Sequence, residues 1–173
     1  MNLMKENPLK RYFVYCFMLT FAFPVLVGCA ATGPKYSEMQ GRIVAPKEGQ
    51  ARLYFMRETT FSGSAMTGQV HITGEDIKQL SNGGFLIVDV NAGTTSLKVD
   101  SGDYGNVGEW VSTISTKPGE QRYFLVAPNM NRNWDRALIA FLADTMPEDA
   151  PFNVSEVDEV VANSVLPKLA LSE

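Results

Sequence analysis

Residues 85–99 read FLIVDVNAGTTSLKV, and they carry the clearest evidence in the sequence for the type of fold. Its first part, residues 85–90, is almost continuously apolar, which is typical of a strand inside a sheet. Residues 91–94 contain glycine and small polar residues and predict a tight turn. Residues 95–99 then alternate polar and apolar side chains, the pattern of a strand with one buried face. The stretch therefore predicts two strands that pair as a hairpin.

Strand patterns continue on both sides of this hairpin. The pair Asn82-Gly83 is a strong turn signal, because both residues tolerate positive φ. Further strands are predicted at residues 51–57, 69–73, 77–80, 110–116 and 122–127. Strands separated by turns roughly every 8–12 residues are typical of an antiparallel sandwich. We therefore predict a mainly β protein whose body, residues 51–128, is a small antiparallel β-sandwich.

The C-terminal part of the chain changes to helical spacing. Apolar residues within 134–143 recur on one face of a helix, although the continuous apolar run is also compatible with a strand. A second helix is predicted with Ser155 as its N-cap, Glu156 in its acidic first turn and Pro167 at its end. Residues 129–173 are therefore predicted to form an appendage with one or two helices.

Composition sets the broad class of the protein. The chain has 173 residues, of which 45% are hydrophobic and 20% are charged, and its net charge is −4. These values suit one folded domain and exclude collagen, low-complexity and charge-driven disordered chains. Only the N-terminal stretch is apolar enough to enter a bilayer, which excludes a polytopic membrane protein. The excess of acidic residues argues against nucleic acid as a partner.

The first thirty residues have the layout of a secretory signal. Three cations precede an apolar run at residues 12–27, and the small residue Gly28 follows. This order of regions predicts a signal peptide at residues 1–28. The run is short for a membrane-spanning helix and contains Pro24, which disfavours an uncleaved anchor.

The cleavage motif is more specific than a general signal. It consists of Leu26, Val27, Gly28 and Cys29. The motif resembles the lipobox of bacterial lipoproteins, which implies that Cys29 carries an S-linked diacylglycerol and, after cleavage, an N-linked acyl chain. Each buried CH₂ contributes about 0.8 kcal/mol, so two or three acyl chains hold a folded domain on a bilayer. By resemblance to the sorting rule of enteric bacteria, Ala30 favours the outer membrane of a Gram-negative bacterium, with the domain in the periplasm.

Maturation would change the available chemistry. Cys16 would leave with the signal and Cys29 would carry lipid, so no thiol would remain for a disulfide, a nucleophile or a metal site. Removal of residues 1–28, with three cations and one anion, changes the net charge from −4 to −6. That charge opposes binding to nucleic acid and to anionic head groups. Residues 29–50, broken by glycine and proline, are predicted to be a tether whose later part packs on the domain.

Five short patterns follow one another in a distinctive order along residues 51–127. Their residues are Ala51, Leu53, Tyr54 and Arg57, then Ile72 and Gly74, then Gly84 and Phe85, then Val90, Gly93 and Leu97, and finally Gly119, Tyr123 and Phe124. In this order they resemble bacterial lipoproteins of the domain-of-unknown-function 2846 family. The resemblance implies a small β-sandwich of unknown activity, and it transfers no catalytic residue.

Candidate catalytic and metal-binding residues are few. His71 is the only histidine in the sequence, and its position within a predicted strand indicates a strand-face residue rather than a base or a metal ligand. Neither a nucleophile elbow nor a nucleotide-binding motif occurs. Weaker candidates are a hydrolase serine, Ser62 or Ser64, and a calcium loop with Asp100, Asp103 and Glu109. We therefore predict no catalytic residue, no metal site and no cofactor.

Aromatic side chains provide the main alternative function. Tyr104, Trp110 and Trp134 could stack on the sugar rings of peptidoglycan or lipopolysaccharide, although core packing is the commoner role of such residues. The leading prediction is a non-enzymatic interaction module that Cys29 anchors to the outer membrane and whose loops and strand edges meet an envelope protein. A glycan-binding module is the alternative, and a hydrolase is third.

Overall fold

The structure is a computed structural model, in which residues 30–61, 63–102, 108–130 and 150–172 are described. These residues form two sheets and two short α-helices, which confirms the predicted mainly β fold. The strands are β1 (Gln50–Met56), β2 (Gly68–Ile72), β3 (Lys78–Leu80), β4 (Gly84–Asn91), β5 (Gly93–Asp100), β6 (Trp110–Thr116), β7 (Gln121–Pro128), β8 (Phe152–Val157) and β9 (Ala170–Leu171). The helices are α1 (Tyr36–Met39) and α2 (Glu159–Val165), followed by 3₁₀ turns at Gln40–Arg42 and Leu166–Lys168. The predicted signal peptide, residues 1–28, lies outside the described part.

The four-stranded sheet is antiparallel and has the order β3-β2-β5-β6. The alternation predicted for residues 95–99 is observed in β5, where Thr95, Leu97 and Val99 are buried and the residues between them are not. A strand with this period turns every second side chain to the same face. The sequence therefore correctly predicts which face of β5 is buried.

The five-stranded sheet has the order β8-β7-β1-β4-β9 and is mixed rather than antiparallel. β1 runs parallel to β7, with Tyr54 opposite Tyr123, and β4 runs parallel to β9. Between β1 and β7 the chain passes twice through the other sheet, so it can return in the same direction. Within residues 51–128 this sheet is therefore not purely antiparallel, contrary to the prediction from the sequence. The hydrophobic period of a strand indicates which face is buried, but it carries no information on strand direction.

A largely aliphatic cluster, the inner core, joins the two sheets. β1 contributes Ala51, Leu53 and Phe55, and Phe55 stacks on Phe124 with ring centroids 5.2 Å apart. The other members are Val70, Ile72, Leu80, Leu86, Val88, Val90, Leu97, Val99, Ile114, Val126 and Phe152. Apolar burial stabilises a fold by roughly 25 cal/mol per Å². The inner core is therefore the main source of stability for the sandwich.

A second hydrophobic cluster, the outer core, covers the opposite face of the five-stranded sheet. Tyr54 on β1 and Phe85 on β4 belong to its floor. Tyr36 of α1 meets Phe85 edge-on at 5.4 Å, and Tyr54 stacks on Tyr123 at 4.9 Å. The C-terminal segment contributes Ala162, Val165, Leu166 and Leu169. Residues near both chain ends thus close this face.

The C-terminal helix begins later than the sequence predicts. Ser155 and Glu156 lie in β8, and α2 follows Asp158, whose Oδ1 accepts a hydrogen bond from Val161 N at 2.8 Å. The prediction of Ser155 as the N-cap was wrong because β8 pairs along the edge of β7. Tertiary pairing of this kind overrides a local capping pattern.

Residues 129–173 are more than the predicted helical appendage. β8 and β9 form the two edges of the five-stranded sheet, and α2 contributes to the outer core. The strands depend on pairing with β7 and β4, which no local pattern in the C-terminal segment encodes. The predicted helix or strand at residues 134–143 lies outside the described residues.

The N-terminal segment, predicted to be a tether, is docked on the domain from residue 30 onward. Gly33 N donates to Leu171 O at 3.2 Å, and a Cβ at Gly33 would lie 2.5 Å from that oxygen. Further along, Arg52 pairs with Asp89 through contacts of 2.6 and 2.8 Å and donates to Val44 O at 2.6 Å. Residues 30–44 are thus fixed along the outer face of the sheet.

Candidate functional site

The two ends of the sandwich differ, and one of them lies beside the start of the described chain. The loop at residues 57–67 connects β1 to β2 at this end, and the turn at residues 81–83 connects β3 to β4. Ala30 forms a parallel β-bridge with Asn82 in that turn. We call this end the Asn82 end. The opposite end, called the far end, carries the turns at residues 73–77, 92 and 117–120.

Asn82 ties three segments of its end together. The residue is 7% exposed, its Nδ2 donates to Thr60 O at 3.0 Å, and its Oδ1 accepts from Thr60 N at 3.0 Å. Its backbone oxygen accepts from Ala31 N at 3.0 Å. The chain immediately after Cys29 is therefore bonded to the same residue that holds the loop at residues 57–67.

Gly83 allows the turn and the loop to approach each other closely. Its φ of 71° lies in the left-handed region, which glycine adopts without a steric penalty. A Cβ at this position would lie 2.5 Å from Thr59 Oγ1. The Asn-Gly pair, which the sequence predicts as a turn, thus also seats the neighbouring loop.

Arg57 holds the same loop from inside. Its side chain is fully buried, Nη1 donates to Met66 O at 2.6 Å, and Nη2 donates to Gly63 O at 2.7 Å. The guanidinium also lies over the ring of Phe152, 5.1 Å from the centroid. Cation–π contacts strengthen when water is excluded. The structure thus turns this charged residue, which directly follows β1, inward onto backbone carbonyls.

Phe61 projects from this loop and is not among the residues predicted from the sequence to carry function. Its side chain is 98% exposed, although Thr60, its neighbour, is bonded to Asn82. A second exposed apolar residue, Met130, lies two positions after Pro128, and a Cβ at Gly63 would lie 2.9 Å from Pro128 Cγ. A lone aromatic among Thr, Ser and Gly residues is the signal that could have indicated Phe61, because such loops ordinarily carry polar side chains.

Most of the residues predicted to carry function lie outside the described ranges. This holds for Leu26, Val27, Gly28 and Cys29 of the cleavage motif, and for Tyr104 and Trp134 of the aromatic set. Trp110 is described, and it is partly buried and packs against the inner core at the start of β6. Of the three rings predicted to stack on sugars, the structure therefore describes one, and part of that ring is used in packing against the inner core.

His71 belongs to a charged cluster on the exposed face of the four-stranded sheet. Its Nε2 lies 2.9 Å from Asp100 Oδ2, and Lys98 Nζ lies 3.1 Å from the same oxygen and 3.2 Å from Glu109 Oε2. The hydrogen bonds to Asp100 and Glu109 raise the pKa of Lys98. Asp100 and Glu109, two of the three acidic residues proposed for a calcium loop, are thus engaged with a cation of the chain itself, and the third, Asp103, lies outside the described residues. Within the described ranges, no three His, Cys, Asp or Glu residues converge as metal ligands.

The far end carries an open groove of about 410 Å³ between the β6–β7 turn and the start of α2. In the wall of the groove, Arg122 forms a bidentate ion pair with Glu156. The hydrogen bonds of this pair raise the pKa of the Arg122 guanidinium. Burial raises the pKa of Tyr123 on its floor to about 12. Four acidic residues line the groove beside this single arginine, namely Glu120, Glu156, Asp158 and Glu159. The groove is therefore acidic and polar, unlike the Asn82 end with its exposed phenylalanine.

Comparison with known proteins places the sandwich in a family. A family model described as a protein of unknown function, DUF2846, matches residues 47–135. The chain belongs to the DUF2846 family. The DUF2846 match contains β1 to β7 and with them nearly all of the inner core, whereas α1, β8, α2 and β9 lie beyond its limits. No curated protein and no solved structure matches the chain.

The helices of the described residues are short. None of them is long and apolar enough to cross a bilayer. What the geometry offers is a rigid β-sandwich whose first described residue is fixed to one end.

Proposed function

We propose that this protein is a lipoprotein anchored to the outer membrane through Cys29, and that it acts in the periplasm as a non-enzymatic interaction module. The motif of residues 26–29 supports lipid attachment, and Ala30 at the next position supports sorting to the outer membrane. Acyl chains raise the local concentration of the domain at the membrane, where even weak contacts with a partner become effective.

One observation supports a fixed orientation of the domain on the membrane. Ala30 and Ala31 are bonded to Asn82, so the lipidated residue would be joined to a folded end of the sandwich without a spacer. Successive Cα atoms are 3.8 Å apart, so the Cα of Cys29 lies at most about 8 Å from that of Ala31. The Asn82 end would therefore face the membrane, and the far end would face the periplasm.

The far end would then be the surface that is displayed. Its turns are exposed, and its groove carries the carboxylates of Glu120, Asp158 and Glu159. The net charge of −6 expected for the mature chain agrees with an anchor that depends on lipid rather than on anionic head groups. A rigid scaffold that presents exposed loops is the usual arrangement for a binding module.

The lipid anchor is tested by metabolic labelling with an alkyne analogue of palmitate in a Gram-negative host. The wild-type chain and a Cys16→Ser control should incorporate the label and fractionate with the outer membrane, whereas Cys29→Ser should not incorporate it. Equal labelling of Cys29→Ser and wild type would overturn the anchor, because the lipid would then be attached elsewhere.

The displayed surface is tested by photocrosslinking in cells. A photoreactive amino acid is placed at Glu75 of the far end or at Thr59 of the Asn82 end, both of which are exposed. We expect one reproducible protein adduct from Glu75, lost in the Cys29→Ser background, and lipid adducts from Thr59. Adducts of Glu75 with peptidoglycan or lipopolysaccharide would replace this proposal by the glycan-binding alternative. The same protein adduct in both backgrounds would show that the anchor does not bring the partner.

A further inference from the structure

The loop with Phe61 and the lipid attachment point are tied to one residue. Asn82 bonds Thr60 through its side chain and Ala31 through its backbone oxygen, all at 3.0 Å. Phe61 follows Thr60 directly, and Cys29 precedes Ala31 by two positions. An anchor at Cys29 would thus bring the bilayer surface to the end of the sandwich from which Phe61 projects.

The loop holds Phe61 in place. Arg57 fixes it from below through Gly63 O and Met66 O, and Gly83 seats Thr59. Because these contacts hold the backbone on both sides of Phe61, little conformational entropy remains to be lost when the ring meets another phase. A ring that is 98% exposed gains from leaving water, since apolar area removed from water is favourable.

The chemistry of the loop fits a lipid interface better than a charged surface. Its one exposed ionic side chain among the described residues is Glu58, and its other exposed residues besides Phe61 are the small residues Thr59 and Ala65. Trp and Tyr are enriched at the boundary between head groups and acyl chains, and Phe is among the residues that interfacial helices bury at this boundary. A loop without an exposed cation offers no electrostatic attraction to anionic lipid, so the contact depends on the ring.

We propose that Phe61 enters the interface of the membrane that holds Cys29 and so fixes the orientation of the sandwich on that membrane. The inference rests on the proposed lipid anchor. The lipid supplies affinity, and Phe61 supplies a second point of contact. With two contacts the domain cannot swing freely about Cys29, and the far end stays directed away from the bilayer.

The test uses the lipidated full-length protein, purified in detergent and reconstituted into phosphatidylcholine vesicles with brominated acyl chains. Bromine quenches tryptophan fluorescence at short range. Phe61→Trp is compared with Ile77→Trp, a matched control at the far end whose native side chain is also exposed. The wild-type chain, with Trp110 and Trp134, gives the background. Flotation of each variant with the vesicles is measured in parallel.

We expect Trp at position 61 to lose most of its emission in brominated vesicles and to shift its spectrum to the blue, whereas Trp at position 77 should behave as in plain vesicles. Flotation without quenching at position 61 would overturn the inference and leave the anchor intact. Equal quenching at both positions would also overturn it, because the domain would then have no fixed orientation. Failure of the chains to float at all would instead count against the proposed lipid anchor.

Discussion

The two faces of the five-stranded sheet are built differently, although one strand serves both. On β1, Ala51, Leu53 and Phe55 point into the inner core, whereas Tyr54 and Met56 point into the outer core. The inner core is closed by strands that follow one another along residues 50–128 with help from Phe152. The outer core is closed by segments from near both ends of the chain.

This difference indicates that the inner core is less dependent on the outer core than the outer core is on the inner core. All residues of the inner core except Phe152 lie within the range of the family match. The segments that cover the outer core, which contribute Tyr36 and residues 162–169, lie outside that range. The outer core also contains three tyrosines, Tyr36, Tyr54 and Tyr123, and so it buries hydroxyl groups that the inner core lacks. We therefore expect the inner core to control global unfolding and the outer core to open first.

The largest effect is expected from Phe55→Ala. Phe55 is fully buried and stacked on Phe124, and removing such a ring from a core costs about 3 to 5 kcal/mol. Urea denaturation of the unlipidated domain should show one cooperative transition at a much lower midpoint. Phe61→Ala is the control and should leave the midpoint unchanged, because Phe61 is exposed. A loss below 1 kcal/mol for Phe55→Ala would contradict the role given to the inner core.

A smaller and more local effect is expected from Leu166→Ala in the outer core. Leu166 is fully buried, and its truncation should cost about 2 to 4 kcal/mol. Hydrogen exchange should show faster exchange in α1, α2 and β9, while β2 and β5 remain protected. Lys168→Ala, an exposed change in the same turn, serves as the control. Uniform loss of protection in both sheets would show that the two layers unfold as one.

The outer core should also weaken at alkaline pH. Burial raises the pKa of Tyr123 to about 12 and raises that of Tyr36 above its ordinary value of 10. An unfolded chain would ionise these groups from pH 10, so the stabilising effect is complete below pH 10 and is lost between pH 10 and about 12. Tyr123→Phe should reduce this loss. Denaturation midpoints at pH 9, 10 and 11 measure it, and identical pH profiles for both proteins would contradict the assignment.

The smallest effect is expected at the N-cap of α2. Asp158→Ala removes the hydrogen bond to Val161 N and should cost about 1 kcal/mol. Asp158→Asn, which keeps an acceptor, should cost less, whereas Ser155→Ala should have little effect because Ser155 lies in β8. Midpoints of urea denaturation distinguish the three variants. A larger loss for Ser155→Ala than for Asp158→Ala would restore the cap predicted from sequence.

The sequence predicts most of the strands because they are amphipathic in a local pattern. The predicted strand at 110–116 coincides with β6, and the predicted turn at Asn82-Gly83 is observed. The parallel pairing of β1 with β7 and the strand at Ser155 could not be predicted in this way. They depend on hydrogen bonds between segments that are far apart in the chain.

The candidate site was predictable only in part. Asn82 is visible as a turn residue, but its bonds to Thr60 and Ala31 arise from packing. Arg57 looks like an exposed charge at a strand end, and only the carbonyls that surround it in the fold explain its burial. Phe61 carries no periodic signal at all, since a single exposed residue in a loop belongs to no repeating pattern.

The docked segment at residues 30–43 is much shorter than the same segment would be if it were fully extended. Fully extended, these 14 residues would span about 46 to 50 Å, but the bonds from Ala31 to Asn82 and from Gly33 to Leu171 keep them folded back on the domain. A pull on residue 29 therefore loads these few bonds before it reaches either core. Once they part and Tyr36 leaves the outer core, the sandwich could rise by several nanometres from its point of attachment without losing its inner core.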